Sequence, residues 1–352
     1  MNLENKKILL ISPESWGKSF VSKHHYAETL VDLGNQVYFL NGPGKTWRTT
    51  TTENGVKVVD YQPKFRGLGR LPEWMSAYLT LWEFRSIEKY MEVKFDVIWN
   101  LDSSPFCSLS KIPSSVYKIC HLVDLNQNIQ RPLLAGTSDI CFGTTRYIVE
   151  ELKKHNPNSH QLRHAYRPAT GRQYSDFAMP GENSLKALYV GNLSMKYIDW
   201  NILLQATKEY PSIDFVFIGP DGKSNLSQQS NESSVKEELK KCANAYFNPP
   251  VESHEIPPIL KRADFLLIAY QEEYHKDQAA PHKMLEYLAS GKTVVATYTE
   301  EFDDEGWKPQ LRMCKSNNGF SKLFRKPPGE VEFVSGIPTY KEHIEWISQL
   351  MR

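Results

Sequence analysis

The chain has 352 residues, of which 40% are hydrophobic and 12% aromatic, with 19 Gly and 21 Pro. That is enough apolar material for two ordinary cores, and it excludes disorder, collagen and a coiled coil. A net charge of +1 excludes a generic nucleic-acid binder.

Lys7 to Ser12 predicts a first strand, and a polar loop with Gly17 comes after it. From Ser22 to Leu33, Tyr26, Leu30 and Leu33 recur at helical spacing until Gly34 stops the pattern. Gln36 to Leu40 predicts the next strand, so the chain opens β-loop-α-β, the unit of parallel sheets. Trp74, Tyr78, Leu81 and Trp82 share helical spacing and read as core or a lid. Strands are expected at Phe95 to Asn100, Val116 to His121 and Asp139 to Gly143, then a helix from Thr145 to His155.

Between Pro168 and Ser184 the pattern lapses into a linker, after which the alternation restarts. Strands are predicted at Leu185 to Gly191, Asp214 to Gly219, Asp264 to Tyr270 and Thr293 to Thr297. Helices are predicted at Ile198 to Glu209, Ser234 to Ala243 and Pro281 to Ser290, and Thr339 to Met351 reads as an amphipathic closing helix. The economical arrangement is α/β: two doubly wound, Rossmann-like domains at 1–170 and 184–335, joined by a linker at 171–183, with 336–352 as a C-terminal helix. No stretch approaches 18 uncharged apolar residues and the opening has no apolar leader, so a cytoplasmic chain is expected. Cys107, Cys120, Cys141, Cys242 and Cys314 are odd in number and widely spaced, which argues against zinc and a disulfide framework.

Gly42-Pro-Gly-Lys-Thr46 has the ending of a phosphate loop, but Phe39 stands where the first glycine belongs, and the stretch Thr49 to Val59 has no helical pattern. The informative block is Pro281-His-Lys-Met-Leu-Glu-Tyr-Leu-Ala-Ser-Gly291. Pro281 suits the first helical position, which makes Ala280 the N-cap and leaves the free amides there without a side-chain acceptor. Lys283 in the first turn opposes the helix dipole, and an anion such as a diphosphate at that end relieves both conflicts. Glu286, on the same face, then suits a ribose diol. The alternative is a solvated Lys-Glu pair; the preceding polar loop, at the carboxyl ends of the strands, favours a site.

Gly191, in Tyr189-Val-Gly-Asn, lets backbone approach a phosphate that Lys196 neutralises, or it serves packing alone. His121 and Asp124 come at the end of a strand of the first domain, where Asp124 suits a general base and His121 can orient a hydroxyl; capping or a structural hydrogen bond is the alternative for each. His24-His25 reads as a helix face, because adjacent side chains diverge.

Pro281-x-Lys283-x-x-Glu286-Tyr-Leu-Ala-x-Gly291-x-x-Val-Val295 resembles the donor-binding signature of GT-B glycosyltransferases, especially bacterial enzymes similar to family 4. Tyr189 to Pro220, Ser138 to Arg167 and the opening βαβ extend the resemblance over nearly the whole chain, and the Lys283 to Gly291 block is its specific part. The resemblance implies two Rossmann-like domains facing across a cleft, with a final helix returning to the first. It implies a nucleotide-sugar on the second domain and a glycan or glycolipid acceptor on the first.

In the resemblance Pro281, His282, Lys283, Gly191, Lys196 and Gly17 go to the donor diphosphate and Glu286 to the ribose. Gln278 and Ala279 go to the sugar, and Gly219, Asn248 and Val251 to the base. Gln278 stands where the family pairs Glu286 with a second Glu, and one lysine, Lys196, stands where Arg and Lys usually come after the Gly191 turn. No metal and no cofactor beyond the nucleotide-sugar are expected, since cationic side chains can hold the departing diphosphate.

The resulting expectation is a glycosyltransferase of polysaccharide or glycolipid synthesis, retaining by resemblance, with Asp124 keeping an inverting route open. A GT-B nucleotide-sugar epimerase and a non-catalytic nucleotide-sugar binder are the alternatives. An NAD dehydrogenase is disfavoured, because neither opening strand runs into a G-x-G-x-x-G. The basic stretch Lys57 to Arg70 permits peripheral contact with the inner membrane surface.

Overall fold

A computed structural model describes residues 2–17, 20–101, 106–123, 131–166, 175–222, 234–275, 280–303, 305–307, 310–329 and 336–351. The chain divides into two compact units, Met1–Arg167 with Pro338–Arg352, and Pro168–Ile337.

The first unit runs β1 (Lys7–Ile11), α1 (Ser22–Asp32), β2 (Gln36–Leu40), β3 (Arg48–Thr51), β4 (Lys57–Asp60), α2 (Glu73–Met91), β5 (Val97–Asn100) and β6 (Tyr117–Leu122). It continues α3 (Arg131–Gly136), β7 (Ile140–Gly143), α4 (Arg146–Lys153) and β8 (Ser159–Gln161). The strands form one sheet, β3-β4-β2-β1-β5-β6-β7-β8, parallel except where β3 pairs antiparallel with β4. Successive strand residues serve opposite faces, as the pleat requires. Ile8, Leu10, Val37 and Phe39 join one core with Tyr26 and Leu30 of α1, whereas Leu9, Ile11, Tyr38 and Leu40 join another with Phe84 and Ile87 of α2. Burial on both faces explains the near-continuous apolar runs of β1 and β5.

The second unit contains β9 (Leu185–Val190), α5 (Trp200–Glu209), β10 (Ile213–Ile218), α6 (Ser234–Lys240), β11 (Ala245–Asn248) and α7 (Ile256–Leu260). After these come β12 (Phe265–Ile268), α8 (Lys283–Ala289), β13 (Thr293–Thr297) and β14 (Leu311–Cys314). Its sheet, β11-β10-β9-β12-β13-β14, is parallel throughout. The order reverses between β9 and β12, and in such sheets the crevice beyond the strand ends at the reversal takes ligands.

The closing helix α9 (Tyr340–Leu350) belongs to the first unit, where Tyr340, Ile344 and Ile347 share the core of α1. Thr339 caps it by accepting from Glu342 N–H at 3.2 Å. The segment after Gly42 is an irregular loop, tied by Gly44 N–H donating to Tyr61 O at 2.9 Å, and it leads into the β3-β4 hairpin. The stripe read as core or lid stands out on α2: Trp74, Tyr78 and Trp82 are exposed, and Leu81 alone packs against the core. The cysteines are free thiols, four of them buried. Among the described residues no helix is long and apolar enough to cross a membrane.

Candidate functional site

Two glycine junctions, Gly191 after β9 and Gly219 after β10, meet at the carboxyl ends of the strands, with Asn248 at the end of β11 beside them. Gly191 N–H donates to Ile218 O at 2.9 Å and Gly219 N–H to Asn248 O at 3.2 Å, so each strand end is tied to its neighbour. Gly219, at φ 151°, lies so close to Gly191 that a Cβ there would stand 1.9 Å from the Gly191 carbonyl oxygen. Only glycine can occupy that position. A Cβ on Gly191 would meet Lys283 Nζ at 2.8 Å, so the Lys283 ammonium rests directly against this paired turn.

Lys283 opens α8, and its ammonium lies 4.0 Å from the centroid of the Tyr189 ring and 6.0 Å from that of Tyr270. Both tyrosines are buried. Among the described residues the Tyr189 hydroxyl has no hydrogen-bond partner and no carboxylate pairs with Lys283. Burial therefore holds the ammonium down to about 7, with the Glu286 charge partly opposing the shift. Tyr287 fixes α8 to the sheet: Val190 N–H donates to its hydroxyl at 3.0 Å. A cation with no carboxylate partner among the described residues thus stands beside a glycine edge, which suits an anionic oxygen.

Glu286, one turn along, is 38% exposed at its side chain, with Oε1 3.8 Å from His282 Nδ1. Asn248 ends β11 beside Gly219, and Val251 lies half-buried three residues later. The structure therefore brings Gly191, Gly219, Asn248 and Lys283 to one strand-end cluster, with Glu286 on the same short helix as Lys283 and His282 at its N-cap.

Several expectations are corrected. The N-cap of α8 is His282 and not Ala280, and Pro281 precedes the helix, its carbonyl accepting from Met284 N–H at 3.0 Å. With seven residues, α8 adds little dipole, and the positive charge at this end belongs to the Lys283 side chain. Lys196 is exposed and lies over the Tyr274 ring, 5.1 Å from its centroid, because two turns precede α5 after Gly191. Asp199 starts that helix by accepting from Asn201 and Ile202 N–H.

In the first unit His121 is 1% exposed, accepts a long hydrogen bond from Trp99 Nε1 at 3.4 Å and packs edge-on against Tyr26 and Phe142. Burial lowers it to about 3, with the charges of His343 and Lys23 adding to the shift. A neutral ring enclosed in core has no face for a sugar hydroxyl, so His121 is a core residue and not a substrate contact. His24 is likewise buried, stacked on Phe39 with Nδ1 accepting from Val21 N–H. Gly17 is exposed in the loop after β1. Asp124, Gln278 and Ala279 lie outside the described residues. Among the described residues no group of three or more His, Cys, Asp or Glu side chains is placed to hold a metal ion.

Sequence reasoning misses Tyr189 and Tyr270 as walls of the lysine site and Glu83 as a buried group. Glu83 lines a cavity of about 280 Å³ with Pro43, Tyr61, Pro63, Phe65 and Arg66. Its Oε1 accepts from Lys64 and Phe65 N–H at 2.6 and 3.0 Å, and its buried Oε2 has no partner among the described residues. A glutamate within a helical pattern gives no sequence signal for this, since its exposure depends on where the 62–72 loop lies.

No family model matches the chain. A Bacillus subtilis (strain 168) protein assigned to teichuronic acid biosynthesis as the glycosyltransferase TuaH is 24% identical over 119 residues, which span 34% of this chain and 28% of that protein. The fold is similar to sucrose-phosphate synthase from Thermosynechococcus elongatus, with a TM-score of 0.64 and 10% identity over 91% of this chain and 89% of that one. It is similar to Anabaena HepE in complex with UDP and glucose, with a TM-score of 0.59 and 12% identity over 98% and 95%. A trehalose-6-phosphate synthase studied for glycosyltransfer with retention gives a TM-score of 0.56 and 11% identity over 98% and 94%. The two-sheet α/β fold is that of the GT-B glycosyltransferases.

Proposed function

We propose that the chain is a retaining, metal-independent glycosyltransferase that moves a sugar from a nucleoside diphosphate to a glycan or glycolipid acceptor in polysaccharide or glycolipid synthesis. The observation that carries this reading is the unpaired Lys283 ammonium against the Gly191-Gly219 contact, at the sheet's order reversal. In this reading the acceptor hydroxyl oxygen bonds to the sugar C1 as the bond between C1 and the diphosphate oxygen breaks; the electron pair leaves with the diphosphate, Lys283 holds the departing charge, and the leaving oxygen takes the acceptor's proton. Glu286 accepts from the ribose hydroxyls, and Gly219, Asn248 and Val251 border the base.

The acceptor belongs to the first unit in this reading, and the Glu83 cavity is a suitable place for it: Phe65 gives a sugar ring an apolar wall and Arg66 a donor for its oxygens. HepE holding UDP and glucose on this fold and the local likeness to a teichuronic acid glycosyltransferase support the donor class and the polysaccharide setting. Retention is supported by the trehalose-6-phosphate synthase likeness. Metal independence rests on a cation already supplied by a side chain.

Calorimetric titration with UDP, GDP, ADP, CDP and dTDP tests the donor site. One series is expected to bind, and Lys283→Ala and Glu286→Ala to weaken it; binding unchanged by both substitutions overturns the assignment. Turnover that requires an added acceptor and persists in EDTA separates this activity from an epimerase, a non-catalytic binder and a metal-dependent enzyme.

A further inference from the structure

Helix α2 presents most of its aromatic residues to solvent. Its buried side carries Ser76, Ala77, Thr80, Glu83, Phe84, Ile87 and Glu88, against both the core and the preceding loop. The opposite side carries Trp74, Tyr78 and Trp82 at four-residue steps, 65%, 55% and 40% exposed. Phe65, 38% exposed, meets Trp82 edge-on at 5.4 Å. Leaving large aromatic surface in water along one helical stripe costs stability unless something covers it.

The charges around this stripe indicate what does. Lys64 Nζ lies 3.7 Å from the Trp82 ring centroid and Lys111 Nζ 5.0 Å from that of Tyr78. Arg66, Arg70, Arg85 and Lys89 are exposed in the loop and along the helix. Two of the acidic residues of α2 are turned away: Glu83 accepts from backbone amides and Glu88 pairs with Lys94 at 2.7 Å. The surface is therefore aromatic and basic together. Trp and Tyr rings settle at the headgroup level of a bilayer, and Lys and Arg beside them draw on its negative surface potential. Lys57, from the basic stretch of the sequence, is not part of it: it lies in β4 and donates to Tyr38 Oη.

We infer that the exposed face of α2, with the 64–70 loop, docks on a lipid bilayer carrying anionic headgroups. Phe65 and Arg66 stand both on this face and in the wall of the Glu83 cavity, so docking would bring that cavity to the headgroup level. The inference stands apart from the donor site, since none of its residues lies in the second unit.

Flotation of the full chain with vesicles of phosphatidylcholine, alone and with phosphatidylglycerol added, tests it. Binding is expected only with phosphatidylglycerol, falling as salt rises. Arg66→Gln with Arg70→Gln should weaken it about thirtyfold, and Trp74→Ala with Trp82→Ala should abolish it, with melting temperature unchanged in both. Brominated phosphatidylglycerol should quench tryptophan emission of the parent, while Trp74→Phe with Trp82→Phe still floats but loses most of that quenching. Absence of flotation, flotation unaffected by the Arg and Ala substitutions, or lipid-free dimerisation abolished by Trp74→Ala with Trp82→Ala overturns the inference, the last in favour of a second copy of the chain.

Discussion

Lys283 carries a testable proton. Its ammonium is held down to about 7, so at pH 8 much of the population is neutral. A diphosphate favours the charged form, and binding at pH 8 should therefore take up a proton, with affinity falling as pH rises through and beyond 7. Calorimetry in two buffers of different ionisation enthalpy reads the uptake directly; Lys283→Met should abolish it. The neighbouring glycines separate two effects. Gly219→Ala drives a Cβ into the Gly191 carbonyl, a rigid backbone atom, and should cost about 2 kcal/mol or more in urea unfolding. Gly191 shares the φ of 151°, so alanine is strained there too, but the atom its Cβ meets is the tip of a lysine, which can move away. Gly191→Ala should therefore cost less stability than Gly219→Ala and, by displacing Lys283, weaken nucleotide binding.

Elements with a strong local period are legible in the sequence. The opening βαβ, the strands at Leu185, Asp264 and Thr293 and the closing helix are each apolar runs or helical stripes whose tertiary role agrees with their pattern. Helix α2 departs from its pattern for the converse reason: Trp74, Tyr78 and Trp82 do share a face, but hydrophobic periodicity does not say which face is covered. The short edge elements β8, β11 and β14 carry three or four residues each, too few for a periodic signal. At the site, Lys283 and Gly191 are visible as a lysine against the dipole and a turn glycine, while the seating of the half-buried Lys283 over Tyr189 is a product of packing and has no linear signature. Asp214 shows what else is hidden. Two percent exposed at its side chain, it pairs with Lys186 at 2.6 Å and accepts from Asn183 N and Nδ2, pinning the entry to β9. Asp214→Ala leaves Lys186 without its charge partner and should lower the stability of the second unit by about 3 kcal/mol in chemical denaturation.

At the scale of the molecule, acid should destabilise the first unit before carboxylate titration dominates. Burial holds His343 down to about 4 and His121 to about 3, below the ordinary 6.5 of an unfolded histidine. Between these values and 6.5 the unfolded chain binds more protons, so the contribution is full above about pH 6.5 and is lost as pH falls through that window. Urea midpoints of the first unit measured from pH 7.5 to 4.5 should decline, and His343→Phe should flatten the decline. His343 also links the sheet's helices: its Nδ1 lies 2.8 Å from the Tyr26 hydroxyl, joining α9 to α1. That contact has a consequence for biosynthesis. Tyr340, Ile344, Ile347 and Met351 complete a core begun by Leu3 and Ile8, and the ribosome makes them only after every residue of the second unit. The unit that emerges first is thus the last to close, its apolar surface waiting for the tail while the later unit folds within one continuous stretch.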